Sequence, residues 1–251
     1  MRMIILAAGK GTRLRPLTDN TPKSLIDLGN GSTMLEQQLK GAIKCEHITE
    51  VVIITGYRSE QIEAKVTSYR SDIPIQIVYN PFYDVSNNLL SLWTAQHLMQ
   101  NEDFIITNGD NIYEDSVYEI LNDECAKEDG IRVCIDFKDE FDDDDMKVRF
   151  NEDGSTALIS KKIAKENIDA ESVGLTIIKG EKYRKLFRNK VLNLVRQEVY
   201  KNKFWLEIFN SLAADGVSIK HFEVGPDDWQ EVDFHPDIED LKELILKKKK
   251  K

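Results

Sequence analysis

The stretch that decides the fold is "RMIILAAGKGTRLRPLTDNTPKSL", residues 2–25. It opens with an apolar run that predicts a buried β-strand, and this strand breaks into glycines at Gly9 and Gly11. In open parallel sheets, ligands bind at the carboxyl ends of strands. A glycine turn at that place lets backbone N–H groups approach an anion, while Arg13 and Lys23 add charged donors for phosphate oxygens. The stretch therefore predicts a phosphate-binding loop at the edge of a sheet.

The chain around this loop is acidic, with a formal net charge of −10 over 251 residues. This charge argues against a nucleic-acid partner, because proteins that bind polyanions are usually basic. The three cysteines show no metal-ligand spacing, which favours reduced thiols and a cytoplasmic location. Apolar segments are too short for a signal peptide or a membrane span, so stable membrane insertion is not expected.

Strands and helices alternate through the first half of the chain. Four apolar runs predict buried strands: 3–7, 51–55, 75–79 and 103–108. Three segments between or after them predict helices: 33–43, 59–69 and 87–99. This alternation is typical of an α/β, Rossmann-like fold with a mixed, mainly parallel sheet and helices on both faces.

In the second half of the chain, strands and helices no longer alternate regularly, which predicts antiparallel additions to the sheet. A hairpin is predicted over 146–162, with its turn at Asp153-Gly154. Further strands are predicted at 172–180, 218–224 and 229–234, and helices at 181–187, 191–200, 205–216 and 236–246. We expect a single domain over 1–251, with a nucleotide-binding half at 1–135 and an acceptor-binding half at 136–251.

The motif from Leu6 to Thr18, followed by Pro22-Lys23, resembles the signature of the nucleotidyltransferases that activate sugar phosphates and small alcohol phosphates. That family's pattern is roughly L-A-A-G-x-G-[ST]-R-[LM]-x-P-L-T, then P-K. The loop is not a Walker A motif, and Leu14 stands where a dinucleotide fingerprint has its third glycine. The resemblance implies a Rossmann-like fold, Mg²⁺ as cofactor, and transfer of a nucleotide from an NTP to a phosphate ester with release of pyrophosphate.

The resemblance also implies roles for individual residues. Lys23, Arg13 and Asp110 are the expected catalytic residues, with Lys23 on the α-phosphate and the incoming phosphate and Arg13 on the β- and γ-phosphates. The expected Mg²⁺ ligands are Asp110 and Asp233. Asp110 follows the strand predicted at 103–108, and Asp233 ends a W-x-[DE]-[IV]-D motif. The expected nucleotide-binding residues are Leu6, Ala7, Ala8, Gly9, Gly11, Thr12, Arg13, Asn87 and Asn88.

The segment "NPFYDVSNNLLSLWTA", residues 80–95, stands where sugar-phosphate members usually carry Gly-Thr-Ala. Its Asn-Asn pair followed by a Ser-Leu helix resembles the bacterial CTP:phosphocholine cytidylyltransferases and their relatives that act on 2-aminoethylphosphonate. This implies CTP as the donor. Asn87 or Asn88 could contact the nucleotide or the substrate phosphate, and either could instead be the N-cap of the next helix.

The second half is expected to bind the acceptor. Lys161 falls where sugar-phosphate relatives carry a phosphate-binding lysine, and Glu171 could contact a hydroxyl or an ammonium group. Trp205 and Trp229 could line the acceptor pocket, although aromatic residues at such places more often belong to the core. In the acidic segment at 139–150, the run of four aspartates at 142–145 is expected to be a solvated loop. The segment has few aromatic residues for a trimethylammonium group, which favours an amino-phosphonate or another small phosphate.

Together these features predict a Mg²⁺-dependent cytidylyltransferase that transfers CMP from CTP to a small phosphate or phosphonate, of the 2-aminoethylphosphonate or phosphocholine kind. The alternative within the family is a sugar-1-phosphate nucleotidylyltransferase that uses UTP or dTTP with glucose-1-phosphate. A catalytically silent sensor is disfavoured, because Lys23, Asp110 and Asp233 are all present. The expected partners are CTP and the acceptor, and a homodimer is left open.

Overall fold

A computed structural model describes residues 1–234, 236 and 238. Among these residues, nine strands form the main sheet: β1 (Arg2–Ala7), β2 (Glu50–Thr55), β3 (Ile75–Tyr79), β4 (Phe104–Asn108), β6 (Gly130–Asp136), β7 (Lys147–Phe150), β8 (Thr156–Ser160), β9 (Ala170–Lys179) and β10 (Ile219–Glu223). Two short strands, β5 (Asn111–Tyr113) and β11 (Trp229–Glu231), pair with each other. The α-helices are α1 (Met34–Ala42), α2 (Ser59–Ser68), α3 (Asn88–Thr94), α4 (Asp115–Ala126), α5 (Glu181–Leu194) and α6 (Glu207–Ala214).

The main sheet has the order β10-β6-β9-β4-β1-β2-β3, and the hairpin of β7 and β8 joins it through β9. Pairing is parallel between β4, β1, β2 and β3 and between β6 and β10, whereas β9 is antiparallel to β4, β6 and β7. This confirms the predicted Rossmann-like α/β fold with antiparallel additions. The two predicted halves share one sheet, because β9 lies between β4 and β6.

Alternate residues of the central strands build a hydrophobic core on each face of the sheet. In β1, Ile4 packs with residues of α3, α5 and α6, whereas Met3 and Ile5 pack with residues of α1 and α4. All three side chains are fully buried. Successive side chains of a strand point to opposite faces, so a continuous apolar run is the expected sequence of a strand covered on both sides.

Three predicted helices differ from the observed ones. The segments predicted at 181–187 and 191–200 are one helix up to Leu194, because Phe187, Val191 and Leu194 bury one continuous face and no glycine or proline interrupts it. The helix predicted over 87–99 ends at Thr94, whose hydroxyl donates to the carbonyl of Ser91 at 2.7 Å, and a 3-10 turn follows at Gln96–Met99.

Helix α4 and strands β5 and β6 were not predicted. The signal for α4 is present in the sequence, because Val117, Leu121 and Cys125 recur every four residues and are all buried. The helix predicted over 236–246 and the lysine run at 247–251 fall outside the described residues, except at 236 and 238. In the part of the chain that is described, no helix is long and apolar enough to cross a membrane.

Candidate active site

A cavity of about 390 Å³ opens at the carboxyl ends of β1 and β4. The glycine-rich loop forms one wall of this cavity, and residues that follow β4 and β8, residues within β9 and residues at the end of β11 line it as well. At Gly109 a Cβ atom would lie 2.6 Å from the carbonyl oxygen of Leu6, so only glycine allows the two strand ends to approach this closely. The backbone N–H of Gly109 donates to that same oxygen at 2.9 Å, which fixes the next residue, Asp110, beside the loop.

The glycine-rich loop positions its two cations through short 3-10 turns, Thr12–Leu14 and Lys23–Leu25. Gly11 has a φ of 60°, and its carbonyl accepts a hydrogen bond from the hydroxyl of Thr18 at 2.7 Å. A side chain at Gly11 would be strained by that φ and would press on Thr18 and Lys23 at 3.0 Å. Both cations are thereby directed into the cavity, whose lining includes Arg13 and Lys23.

Lys23 lies between two carboxylates. Its Nζ atom is 2.8 Å from Oδ2 of Asp110 and also donates to Oδ1 of Asp233. Burial lowers the pKa of Lys23, but the charges and hydrogen bonds of Asp110 and Asp233 outweigh burial, so the pKa is raised. Lys23 is therefore a permanent ammonium group at neutral pH.

Arg13 continues this chain of alternating charges across the cavity. Its Nη1 atom donates to Oδ2 of Asp233 at 2.7 Å and to Oδ2 of Asp144 at 2.6 Å. Asp144 in turn accepts from Nζ of Lys161 at 2.5 Å. Three cations that could bind phosphate oxygens, Lys23, Arg13 and Lys161, are thus each paired with carboxylates.

Three carboxylates converge at the mouth of the loop. Asp110, Glu231 and Asp233 each offer an oxygen atom, and these oxygens lie within 4.8 Å of one another. The strand β11 brings the last two here, because Glu231 pairs with Asn111 in β5 and Val232 N–H donates to the carbonyl of Asp110 at 3.1 Å. Glu231 and Asp233 are two residues apart and meet on one side, as side chains of an extended segment do.

The environment of Glu231 reflects the concentration of negative charge in this cluster. The residue as a whole is exposed, but its carboxyl group lies against the two aspartates. Loss of water around that carboxyl, followed by repulsion from Asp110 and Asp233, raises the pKa of Glu231 to about 8. Converging carboxylates that repel one another fit a hard divalent cation, which prefers carboxylate oxygens and neutralises them.

The sequence profile described as "Nucleotidyl transferase" matches residues 2–144, more than half of the chain. The chain belongs to the nucleotidyl transferase family. This confirms the family predicted from the motif at Leu6 to Thr18, and it makes the protein an enzyme of the nucleotidyltransferase type. Members of this family generally use a divalent metal, in agreement with the three carboxylates described above.

Relatives of this nucleotidyl transferase include two cytidylyltransferases. The choline-phosphate cytidylyltransferase of Streptococcus pneumoniae is 31% identical in an alignment of 136 positions that covers 51% of this chain and 57% of that protein. The CTP:phosphoglutamine cytidylyltransferase of Campylobacter jejuni is 27% identical in an alignment of 265 positions that covers 95% of this chain and 98% of that protein. The chain thus matches little more than half the length of the first relative and almost all of the second.

Solved structures of the same fold cover nearly the whole chain. The CTP:phosphocholine cytidylyltransferase of Streptococcus pneumoniae superposes with a TM-score of 0.76 at 22% identity, over 97% of this chain and 98% of that one. The inositol-1-phosphate CTP transferase of T. maritima superposes with a TM-score of 0.77 at 18% identity, over 97% of this chain and 95% of that one. At these identities the likeness establishes the fold of this nucleotidyl transferase.

Most residues predicted for the site line the cavity. They are Leu6, Ala7, Ala8, Gly9, Gly11, Thr12, Arg13, Lys23, Asn87, Asn88, Asp110, Lys161, Trp205 and Asp233. Asn87 is also the N-cap of α3, because its Oδ1 accepts from the backbone N–H of Asn88 at 2.7 Å. Trp205 is fully buried, and its indole N–H donates to Oδ1 of Asn108 at 2.9 Å. These two side chains combine structural contacts with a place at the cavity wall.

Two predicted acceptor residues lie outside the cavity lining, which corrects the expectation that they face the acceptor. Glu171 is buried behind the wall and paired with Lys138, and its burial raises the pKa of Glu171 to about 7 in spite of that partner. Trp229 donates its indole N–H to Oδ2 of Asp136 at 3.0 Å.

Two charged residues that line the cavity, Glu231 and Asp144, were missed by the sequence analysis. Glu231 occupies the [DE] position of the W-x-[DE]-[IV]-D motif, so the motif together with the two-residue spacing from Asp233 could have identified it. Asp144 was expected in a solvated loop, but it lines the cavity between Arg13 and Lys161. A run of four aspartates gives no local signal that distinguishes this one from its neighbours.

Proposed function

We propose that the protein is a Mg²⁺-dependent cytidylyltransferase that transfers CMP from CTP to a small phosphate or phosphonate, of the 2-aminoethylphosphonate or phosphocholine kind, and releases pyrophosphate. The observation that carries the proposal is the alternation of Lys161, Arg13 and Lys23 with carboxylates along one cavity beside the glycine-rich loop. CTP as donor is supported by the names of the two relatives reported above.

The chain's own residues would bring two anions together. The attacking group is a phosphate oxygen, which is already charged at neutral pH, so the reaction needs no general base. Lys23 would bind the α-phosphate and the incoming phosphate, and Arg13 would bind the β- and γ-phosphates that leave as pyrophosphate. Fixed cations of this kind act by aligning the reactants and stabilising developing charge.

Asp110, Glu231 and Asp233 would hold the Mg²⁺ ion. Bound there, Mg²⁺ supplies positive charge to phosphate oxygens at the reaction centre. Lys23 partly balances this cluster, since its ammonium contacts both aspartates. The carboxylates would therefore exchange part of their contact with Lys23 for the metal, which leaves Lys23 available to phosphate.

The glycine-rich loop and Asn87 and Asn88 would bind the nucleotide, and Lys161 and Trp205 would contact the acceptor. This assignment gives the nucleotide to residues 1–135 and the acceptor to residues 136–251, except that Glu231 and Asp233 would complete the metal site. The location proposed for this activity is the cytoplasm, which agrees with three free, buried cysteines.

Pyrophosphate release in the presence of Mg²⁺ tests the proposal. CTP, UTP, dTTP, ATP and GTP are each combined with phosphocholine, 2-aminoethylphosphonate, phosphoethanolamine, glycerol phosphate and glucose-1-phosphate. We expect turnover with CTP and a small amine-bearing acceptor. Turnover only with glucose-1-phosphate and UTP or dTTP would contradict the proposal and support the sugar-1-phosphate alternative.

A further inference from the structure

An ion pair spans the acceptor side of the cavity, between Asp144 and Lys161. The two charged groups are 2.5 Å apart, and both residues line the cavity. The Nζ atom of Lys161 also lies 5.3 Å from the centre of the Phe204 ring, which is another part of the wall. Asp144 makes its second contact with Arg13, at 2.6 Å. A carboxylate, an ammonium and an aromatic face thus meet in a space next to the reaction centre.

The position of Asp144 is built into the fold. Lys147 is buried, and its ammonium group donates to the backbone carbonyl of Asp142 at 2.5 Å and to that of Lys161 at 3.2 Å. The turn is closed by a hydrogen bond of 2.8 Å from the backbone N–H of Asp142 to Oδ2 of Asp145. A buried cation therefore fixes both the turn that carries Asp144 and the residue that pairs with it.

Binding of the two proposed substrates would remove both partners of Asp144. The nucleotide's β- and γ-phosphates compete for Arg13, and the acceptor's phosphate competes for Lys161. Asp144 does not belong to the carboxylate cluster of Asp110, Glu231 and Asp233, so the metal does not compensate it. A carboxylate that loses its counter-charges in a partly enclosed site is unfavourable unless a new cation replaces them.

We propose that Asp144 is a specificity-determining residue that binds the ammonium group of a zwitterionic acceptor. An acceptor that carries both an ammonium group and a phosphate or phosphonate group would bind Lys161 through its anionic group and Asp144 through its ammonium group. Every charge would then keep a partner of opposite sign. An acceptor with a neutral tail would bind Lys161 through its phosphate group but would offer no cation to Asp144. This inference rests on the proposed transfer to a small phosphate or phosphonate, and it names the residue that selects the acceptor's charge.

Matched acceptors of equal shape test this inference. Phosphocholine is compared with 3,3-dimethylbutyl phosphate, and 2-aminoethylphosphonate with propylphosphonate, at saturating CTP and Mg²⁺. For the better pair, we expect the wild-type kcat/KM to favour the charged acceptor roughly 10- to 100-fold. Asp144→Asn should reduce this preference to within about threefold, mainly through a loss for the charged acceptor. Asp143→Asn makes the same change at an exposed neighbour and should keep the preference.

Asp144→Glu and thermal melting guard against a variant that simply fails to fold. Asp144→Glu retains the negative charge and should therefore keep part of the preference that Asp144→Asn loses. If Asp144 had only a structural role, the charge of Glu would not restore the preference. A full preference in a folded Asp144→Asn protein would overturn the inference. Wild-type turnover that is equal for charged and neutral acceptors would also overturn it while leaving the proposed transfer intact. No pyrophosphate release with any nucleotide and acceptor would reject the proposed transfer, and the inference with it.

Discussion

The glycine-rich loop at 8–23 and the acidic turn at 142–147 face each other across the cavity, and they are constructed in different ways. The loop depends on local geometry, namely a positive φ at Gly11 and the hydroxyl of Thr18 on its carbonyl. The turn depends on a distant, buried cation, Lys147, that binds backbone carbonyls of two segments. Under the proposed function, the cations of the loop would bind the nucleoside triphosphate, and the carboxylate of Asp144 in the turn would select the acceptor. The transfer chemistry and the choice of acceptor would then belong to different regions of the molecule.

The largest effect is expected on the loop side. Lys23→Ala should lower turnover by roughly 10³-fold or more, because it removes the cation proposed to neutralise both reacting phosphates. Pyrophosphate release and thermal melting are measured together. Lys44→Ala removes a lysine paired with Asp115 on the surface and should leave turnover unchanged. Near-normal turnover in a folded Lys23→Ala protein would remove Lys23 from the reaction centre.

The next effect concerns the metal. Asp233→Asn should raise the Mg²⁺ concentration needed for half-maximal activity by roughly 10- to 100-fold, since it removes one of three converging carboxylates. A Mg²⁺ titration of pyrophosphate release measures this. Asp227→Asn, at an exposed position a few residues earlier, is the matched control. An unchanged titration for Asp233→Asn would show that Asp233 is not a ligand.

A smaller and selective effect is expected on the turn side. Lys147→Met removes the buried ammonium but retains most of the side chain's volume, so the turn that carries Asp144 loses its anchor. We expect the KM for the acceptor to rise about tenfold, with the KM for CTP changed by less than about threefold. Arg149→Met, on an exposed position of the same strand, is the control. Equal changes in both KM values would mean that Lys147 supports the whole cavity rather than the turn.

The smallest expected effect is a pH dependence of the free energy of unfolding that arises from Glu171. Burial raises the pKa of Glu171 to about 7, so between pH 4.5 and about 7 the folded chain holds a proton that the unfolded chain has lost. Stability should therefore fall as pH rises through this range. We expect a loss on the order of 1 kcal/mol relative to Glu171→Gln, which cannot ionise. Urea denaturation of both proteins at pH 5 and pH 8 measures it, and parallel pH profiles would contradict it.

The sequence was sufficient to predict those elements whose determining contacts lie close together along the chain. The apolar runs identified β1 to β4, and the glycine-rich motif identified the loop with Arg13 and Lys23, because strand periodicity and turn geometry are local properties. Helix α4 was missed although its four-residue repeat of buried side chains is equally local, so that miss is an error of pattern recognition.

The sequence was insufficient to predict contacts between distant residues that depend on the register of the sheet. Asp144 meets Arg13 across 131 positions of the chain, and Lys23 meets Asp233 across 210. Such partners are selected by the pairing of β11 with β5 and of β7 with β9. A shift of one residue in either pairing would turn these side chains to the opposite face.

The central place of β9 has a consequence for how the chain reaches this structure. Its neighbours β4 and β6 are synthesised well before it, and neither contacts the other directly in the sheet order. Until residue 179 is available, the strand edge of β4 has no partner on that side, and β6 has no connection to the rest of the sheet. Contacts between distant parts of a chain form late and slowly, and unpaired strand edges promote aggregation. A truncated product that stops before β9 is therefore expected to be a poor folder and a substrate for chaperones, rather than an independent nucleotide-binding module.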